Sequence, residues 1–148
     1  MDIDKGLDIY GLPKDRFMLV RELCDIGIGA EPNFILAFKK DHISFQCLKL
    51  NNRILNCVCI NPNLKKLKIS FHLSPYGDYD NKVKDLVNNY NLIPYQKKSG
   101  FIESGVECNG WYAFRIEAGS LCDTEAAFYE LFKEAYNYNY LKKWKGVF

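Results

Sequence analysis

The residues of this chain best suited to chemistry are its clustered lysines. Lys39-Lys40, Arg53, Lys65-Lys66, Lys68 and Lys97-Lys98 recur through the middle of the sequence, interleaved with Tyr76, Tyr79 and Tyr95. Ammonium groups neutralise phosphates and aromatic rings stack on bases, so a stripe of this make-up suits single-stranded nucleic acid. Arg53, Lys65, Lys66 and Lys68 are the expected phosphate contacts, with His72 beside them. The same pattern also fits surface lysines that protect strand edges from aggregation. A second set, Trp111, Tyr112 and Phe114 with Glu117, offers aromatic walls and an acid for a small molecule instead. Near the C-terminus, Lys142-Lys143-Trp144-Lys145 repeats the basic and aromatic mix and reads either as an arm for a partner or as a solubilising end.

The other chemistry-bearing residue types form weaker patterns. Asp78 and Asp80 flank Tyr79 where a helix is expected to start, and helix capping accounts for them. The alternative is a divalent-metal pair of a hydrolase, which needs a third acid such as Glu117 and a lysine such as Lys68. Six cysteines, at 24, 47, 57, 59, 108 and 122, include one close pair, Cys57-Val58-Cys59. On a regular strand that spacing points both sulfurs to one face, with one residue between them where zinc sites want two to four. Buried free thiols are therefore expected, and neither a metal nor a cofactor. The two histidines, His42 and His72, are isolated and read as solvated side chains. Gly27-Ile28-Gly29 is too short to cradle phosphates and is expected to end a helix.

Those residues need a scaffold, and composition says which kind. The chain has 148 residues, 48% hydrophobic and 26% charged, the make-up of a soluble folded domain. A net charge of +2 excludes both a DNA-mimicking polyanion and a histone-like polycation. No apolar run approaches the roughly 20 residues a membrane span needs, so no membrane partner is expected. The first fifteen residues lack a basic region followed by an apolar one, which predicts a cytoplasmic protein.

Period-two alternation dominates the middle of the chain. It predicts strands over Phe34–Phe38, Ile43–Leu50, Arg53–Ile60 and Leu67–Leu73, an antiparallel meander with Lys68, Ser70 and His72 on a wet face. Asn51-Asn52 forms the tight turn between the second and third strands, where Asn tolerates positive φ. Leu55, Cys57 and Cys59 are expected to share a face. Helical spacing of Phe17, Val20, Leu23 and Cys24 predicts a helix after Pro13. Asp80 is expected to cap a helix carrying Val83, Leu86, Val87 and Tyr90. Asp123 is expected to cap another, carrying Phe128, Leu131, Phe132, Ala135 and Tyr136. Phe101–Val106 and Trp111–Glu117 read as extended. The fold class is thus α+β: one domain over residues 1–148, with a mainly antiparallel sheet of five to six strands and two to three helices packed on one face. Residues 138–148 form either a packed end or a mobile arm.

The stretch Asn52–Leu73, with its Asn61-Pro62 turn, Lys65-Lys66 and the strand Leu67-Lys68-Ile69-Ser70-Phe71-His72-Leu73, resembles a bacterial domain family labelled "predicted transport protein". Phe34–Lys39 is similar to that family's preceding strand, and Trp111–Tyr136 to its closing strand and helix. In place of the family's Gly-His-Trp-Gly-like element this chain has Asn109-Gly110-Trp111, without the histidine. The resemblance implies an α/β sandwich related in shape to domains of the MmcQ/YjbR kind. Because such domains are often fused to restriction-like nucleases or lie beside defence systems, it also implies a nucleic acid or a nucleic-acid-processing protein as partner. It implies no catalytic residues. A shorter likeness links Tyr112-Ala113-Phe114-Arg115 and Phe128–Phe132 to the closing strand and helix of GyrI-like ligand-binding domains, where Glu117 or Glu107 would be the central acid.

Overall fold

A computed structural model describes residues 2–49, 51–74, 77–95, 110–117, 119 and 121–147, with side chains up to residue 141. The elements in chain order are α1 (Ile3–Leu7), a 3-10 turn (Asp8–Tyr10), α2 (Lys14–Ala30), β1 (Ile35–Phe38), β2 (Ile43–Leu48) and β3 (Ile54–Asn61). After them come β4 (Leu67–His72), α3 (Gly77–Tyr90), β5 (Ile93–Pro94), β6 (Trp111–Ile116) and α4 (Leu121–Val147). The expected extended segment Phe101–Val106, together with Tyr76, Lys97, Lys98, Glu107 and Cys108, lies outside the described residues, as do the side chains of Lys142–Lys145.

The strands form one six-stranded sheet in the order β1-β2-β3-β4-β6-β5, with every pairing antiparallel. The fold is α+β, as the alternation predicts. Ile69 and Phe71 of β4 and Tyr112 and Phe114 of β6 are fully buried beneath Phe128 and Phe132 of α4. Edge-to-face and stacked rings knit that layer: Phe71 lies 5.2 Å from Phe132 and 6.1 Å from Phe128 between centroids. Such pairs add about 0.5–1.5 kcal/mol each beyond the area they bury.

Helix α2 packs on α4 through a stripe of Val20, Leu23, Cys24 and Gly27, all buried. The helix ends at Ala30, one residue past Gly27-Ile28-Gly29, close to where that run is expected to end it. Gly27 also permits close approach: a Cβ there would lie 2.7 Å from ring atoms of both Phe132 and Phe45. Two caps are also displaced from their expected positions. Asp80 and Asp123 sit inside the first turns of helices that begin at Gly77 and Leu121, where a carboxylate still favours the positive end of the helix dipole. Asn52 takes the expected positive φ, 62°, in the β2–β3 turn.

One register shift changes which side chains face the core. Phe45 pairs with Val58 but Gln46 pairs with Asn56, so Cys57 is an extra residue, a bulge in β3. Cys57 and Val58 are consequently both fully buried, while Cys59 falls on the opposite face beside Ser44 and Ser70. The expectation that Leu55, Cys57 and Cys59 share a face fails for this reason. The C-terminal segment from Asn137 continues α4 to Val147, and Asn139 is buried against β4.

Candidate nucleic-acid interface

Antiparallel connections alternate between the two ends of a sheet, and this decides where the basic residues go. The β1–β2 turn, with Lys39 and Lys40, and the β3–β4 turn, with Lys65 and Lys66, are at the same end. Ile43 pairs with Ile60 there, and Asn61 Nδ2 donates to the Asp41 carbonyl at 3.4 Å. The turns are two strand spacings apart, about 10 Å. All four lysines are exposed. Arg53 belongs to the β2–β3 turn at the far end, and His72 closes β4 at that end too. The structure therefore brings Lys65, Lys66 and Lys68 together and separates them from Arg53 and His72.

Arg16 holds the β3–β4 turn in place. Its guanidinium, at the start of α2, donates to the carbonyls of Pro62 at 2.9 Å, Leu64 at 2.7 Å and Lys65 at 3.0 Å. Three charge-assisted hydrogen bonds to one turn fix its path and leave the Lys65 and Lys66 side chains outside. Tyr10 does the same for the other turn, its hydroxyl lying 2.6 Å from the Lys39 carbonyl and 2.9 Å from that of His42. The His42 ring bonds Asp41 at 2.7 Å, and this contact holds the Asp41 carboxyl below its usual range.

Lys68 is half-buried on the sheet face away from the helices. It pairs across the strands with Arg115, and its ammonium lies 5.2 Å from the Tyr95 ring centroid. Desolvation lowers its pKa. Arg115 contacts Glu117 at 3.2 Å, and its Nε is buried without a hydrogen-bond partner. The face expected to be wet is largely closed at these positions, since Ser70 is also buried between its cross-strand neighbours Cys59 and Ala113.

His72 is engaged within the fold and is not a solvated side chain. Its ring stacks on Trp111, with centroids 4.9 Å apart, and meets Tyr138 edge-on at 5.8 Å. Asn139 Nδ2 donates to the carbonyls of His72 and Ala135, at 2.9 and 2.8 Å. Its Oδ1 therefore accepts, and His72 Nδ1, 2.7 Å away, carries the hydrogen.

The second aromatic set divides between the two faces of β6. Tyr112 and Phe114 are fully buried under the helices, whereas Trp111 stacks on His72 and Glu117 is exposed beside Arg115. Tyr112 Oη lies 2.9 Å from Asp80 Oδ1 and 3.0 Å from the Ser74 carbonyl, and burial followed by the Asp80 contact pushes its phenol pKa up. Asp80 also bonds Lys84 at 2.8 Å, so it is tied into α3. Among the described residues no group of three or more His, Cys, Asp and Glu could hold a metal ion, and no described helix is long and apolar enough to cross a membrane.

Arg16, Lys39, Lys40 and Arg115 complete the basic end. The lysines were visible as a turn in the sequence; Arg16 had no signal, because its role depends on packing across 46 to 49 residues of chain. No protein-family model, curated protein or solved structure matches this chain.

Proposed function

We propose that the protein is a binding module, not an enzyme, and that it contacts the backbone of a nucleic acid through Lys39, Lys40, Lys65 and Lys66, with Lys68 alongside. The observation that supports this reading is the placement of the two lysine-rich turns at one end of the sheet, each tied down by a buried or clamped partner, Tyr10 or Arg16. A cationic surface whose backbone is already fixed binds phosphate with little ordering cost. The resemblance to domains found beside restriction-like nucleases supports a defence-linked setting, in which a nucleic-acid-processing protein would be the second partner. Arg53 and His72 have no part in this interface.

Fluorescence anisotropy against labelled single- and double-stranded DNA and RNA tests it. Replacing Lys65 and Lys66 by Ala should lower the magnitude of the salt slope for a single strand by about 1.4, the contribution of two phosphate contacts. Arg53→Ala should leave it unchanged. Equal losses from both variants, or no binding to any probe, would reject the assignment.

A further inference from the structure

The helical layer carries a groove whose charge is opposite to that of the lysine-rich turns. It consists of adjoining depressions between α2 and α4 that share Cys122. Its α2 wall is a stripe of Asp15, Met18, Glu22, Ile26 and Gly29, spaced as successive helical turns. From Asp15 to Gly29 that wall is about 21 Å long at the helical rise. The α4 wall repeats in the same way through Cys122, Glu125 and Tyr129. Apolar surface is open to solvent here, with Met18 54% and Tyr129 40% exposed, and buried Ile26 and Leu121 also line the groove.

The acids say which charge belongs there. Asp15, Glu22 and Glu125 are exposed and have no ion-pair partner among the described residues. Among the described residues no lysine or arginine lines the groove. Arg21, next to Glu22 in sequence, is already engaged by Asp4 at 2.8 Å and Asp25 at 3.7 Å. We propose that this groove docks a basic amphipathic helix of a partner protein, about four turns long. Its lysines or arginines meet Asp15, Glu22 and Glu125, and its apolar stripe covers Met18 and Tyr129. A helix fits because both walls repeat every three to four residues, the ridge spacing that a third helix matches. Met18 adapts to differently shaped apolar partners, while the same carboxylates repel a nucleic acid.

Cys122 supplies the readout, since it is exposed in the groove whereas Cys24, Cys47 and Cys57 are buried. The probe is a synthetic peptide of leucine and lysine, about 14 residues long, with leucines at i, i+3, i+4 and i+7. Added to the whole chain, it should saturably slow iodoacetamide alkylation of Cys122, mapped by mass spectrometry, with the buried cysteines unmodified. Glu22→Lys combined with Glu125→Lys should raise the peptide concentration needed by at least about tenfold, each protein being compared with its own peptide-free rate. Lys65→Ala with Lys66→Ala should leave protection unchanged, which separates this groove from the nucleic-acid interface. Absence of protection in the wild-type chain overturns the proposal. So does equal protection by a leucine–glutamate peptide of the same pattern, by a scrambled leucine–lysine peptide or by an oligonucleotide. A peptide-free dimer in sedimentation with Cys122 already unreactive also overturns it and assigns the groove to a second copy. The wild-type comparison of peptides requires no variant to fold.

Discussion

Gly27 and Gly29 lie two residues apart in the same helix, and the fold assigns them opposite responses to a methyl group. In an exposed helix interior, glycine to alanine gains up to about 1 kcal/mol. At Gly29 nothing lies within 4 Å of the new Cβ, so Gly29→Ala should stabilise, by about 0.5 kcal/mol so near the helix end. At Gly27 the same atom would lie 2.7 Å from Phe132 Cε1 and 2.7 Å from Phe45 Cε2. Carbon atoms prefer separations of about 3.5–4.0 Å, so each contact is short by about 1 Å. Neither ring can step aside. Phe45 and Phe132 are fully buried, 5.0 Å apart, and braced by Phe34 at 5.4 Å and Phe71 at 5.2 Å. Overpacking of this kind costs about 1–3 kcal/mol, which outweighs the helix gain. Gly27→Ala should therefore destabilise by about 1–2 kcal/mol, a fall of about 2–4 °C in Tm per kcal/mol for a chain of this size. Urea denaturation of both variants gives the difference directly. A Gly27→Ala protein as stable as Gly29→Ala would refute the packing of α2 against Phe132 of α4 and Phe45 of β2.

Three further outcomes follow from named contacts. Asn139→Ala should cost about 1–3 kcal/mol, because it strips the acceptor from a half-buried histidine N–H and removes a donor to the His72 carbonyl, and urea midpoints measure it. Arg16→Ala should destabilise by about 1–2 kcal/mol and also weaken nucleic-acid binding, although its guanidinium faces carbonyls and not the ligand. Paired denaturation and anisotropy titrations test both halves. Burial pushes Tyr10 and Tyr136 up to about 12, and raises Tyr112 as well. In the unfolded chain these phenols ionise near 10, so the stability they confer is complete below that pH and is lost as pH rises toward their folded values. Tyrosinate absorbance from these residues should thus appear together with loss of circular dichroism, and ionisation near pH 10 in a still-folded chain would contradict the burial.

The meander was legible because its hydrophobic residues alternate: Leu67, Ile69 and Phe71 leave no other face for the core. The alternation of hairpin ends follows from that meander alone. It was enough to put Lys39-Lys40 with Lys65-Lys66 and to exclude Arg53, a step the basic-residue pattern obscured. The bulge at Cys57 was hidden, since Cys57-Val58-Cys59 reads as an unbroken apolar run and only pairing against β2 exposes the extra residue. Gly27 carried only half its meaning: glycine marks helix ends by propensity, but the need for space beside two rings depends on tertiary packing that propensity does not show. His72 sat at a polar-face position by parity, but α4 extends far enough to bring Asn139 and Tyr138 against it. Strand β5 has only Ile93 and Pro94, too short for any periodicity.

The central claim is that exposed lysines on two adjacent turns engage phosphates. Its most direct test is the salt dependence of wild-type binding to a labelled single strand. Four phosphate contacts predict a slope of about −3 in log K against log salt concentration. Binding whose affinity is flat across the salt series, or an absence of binding at low salt, would contradict the account.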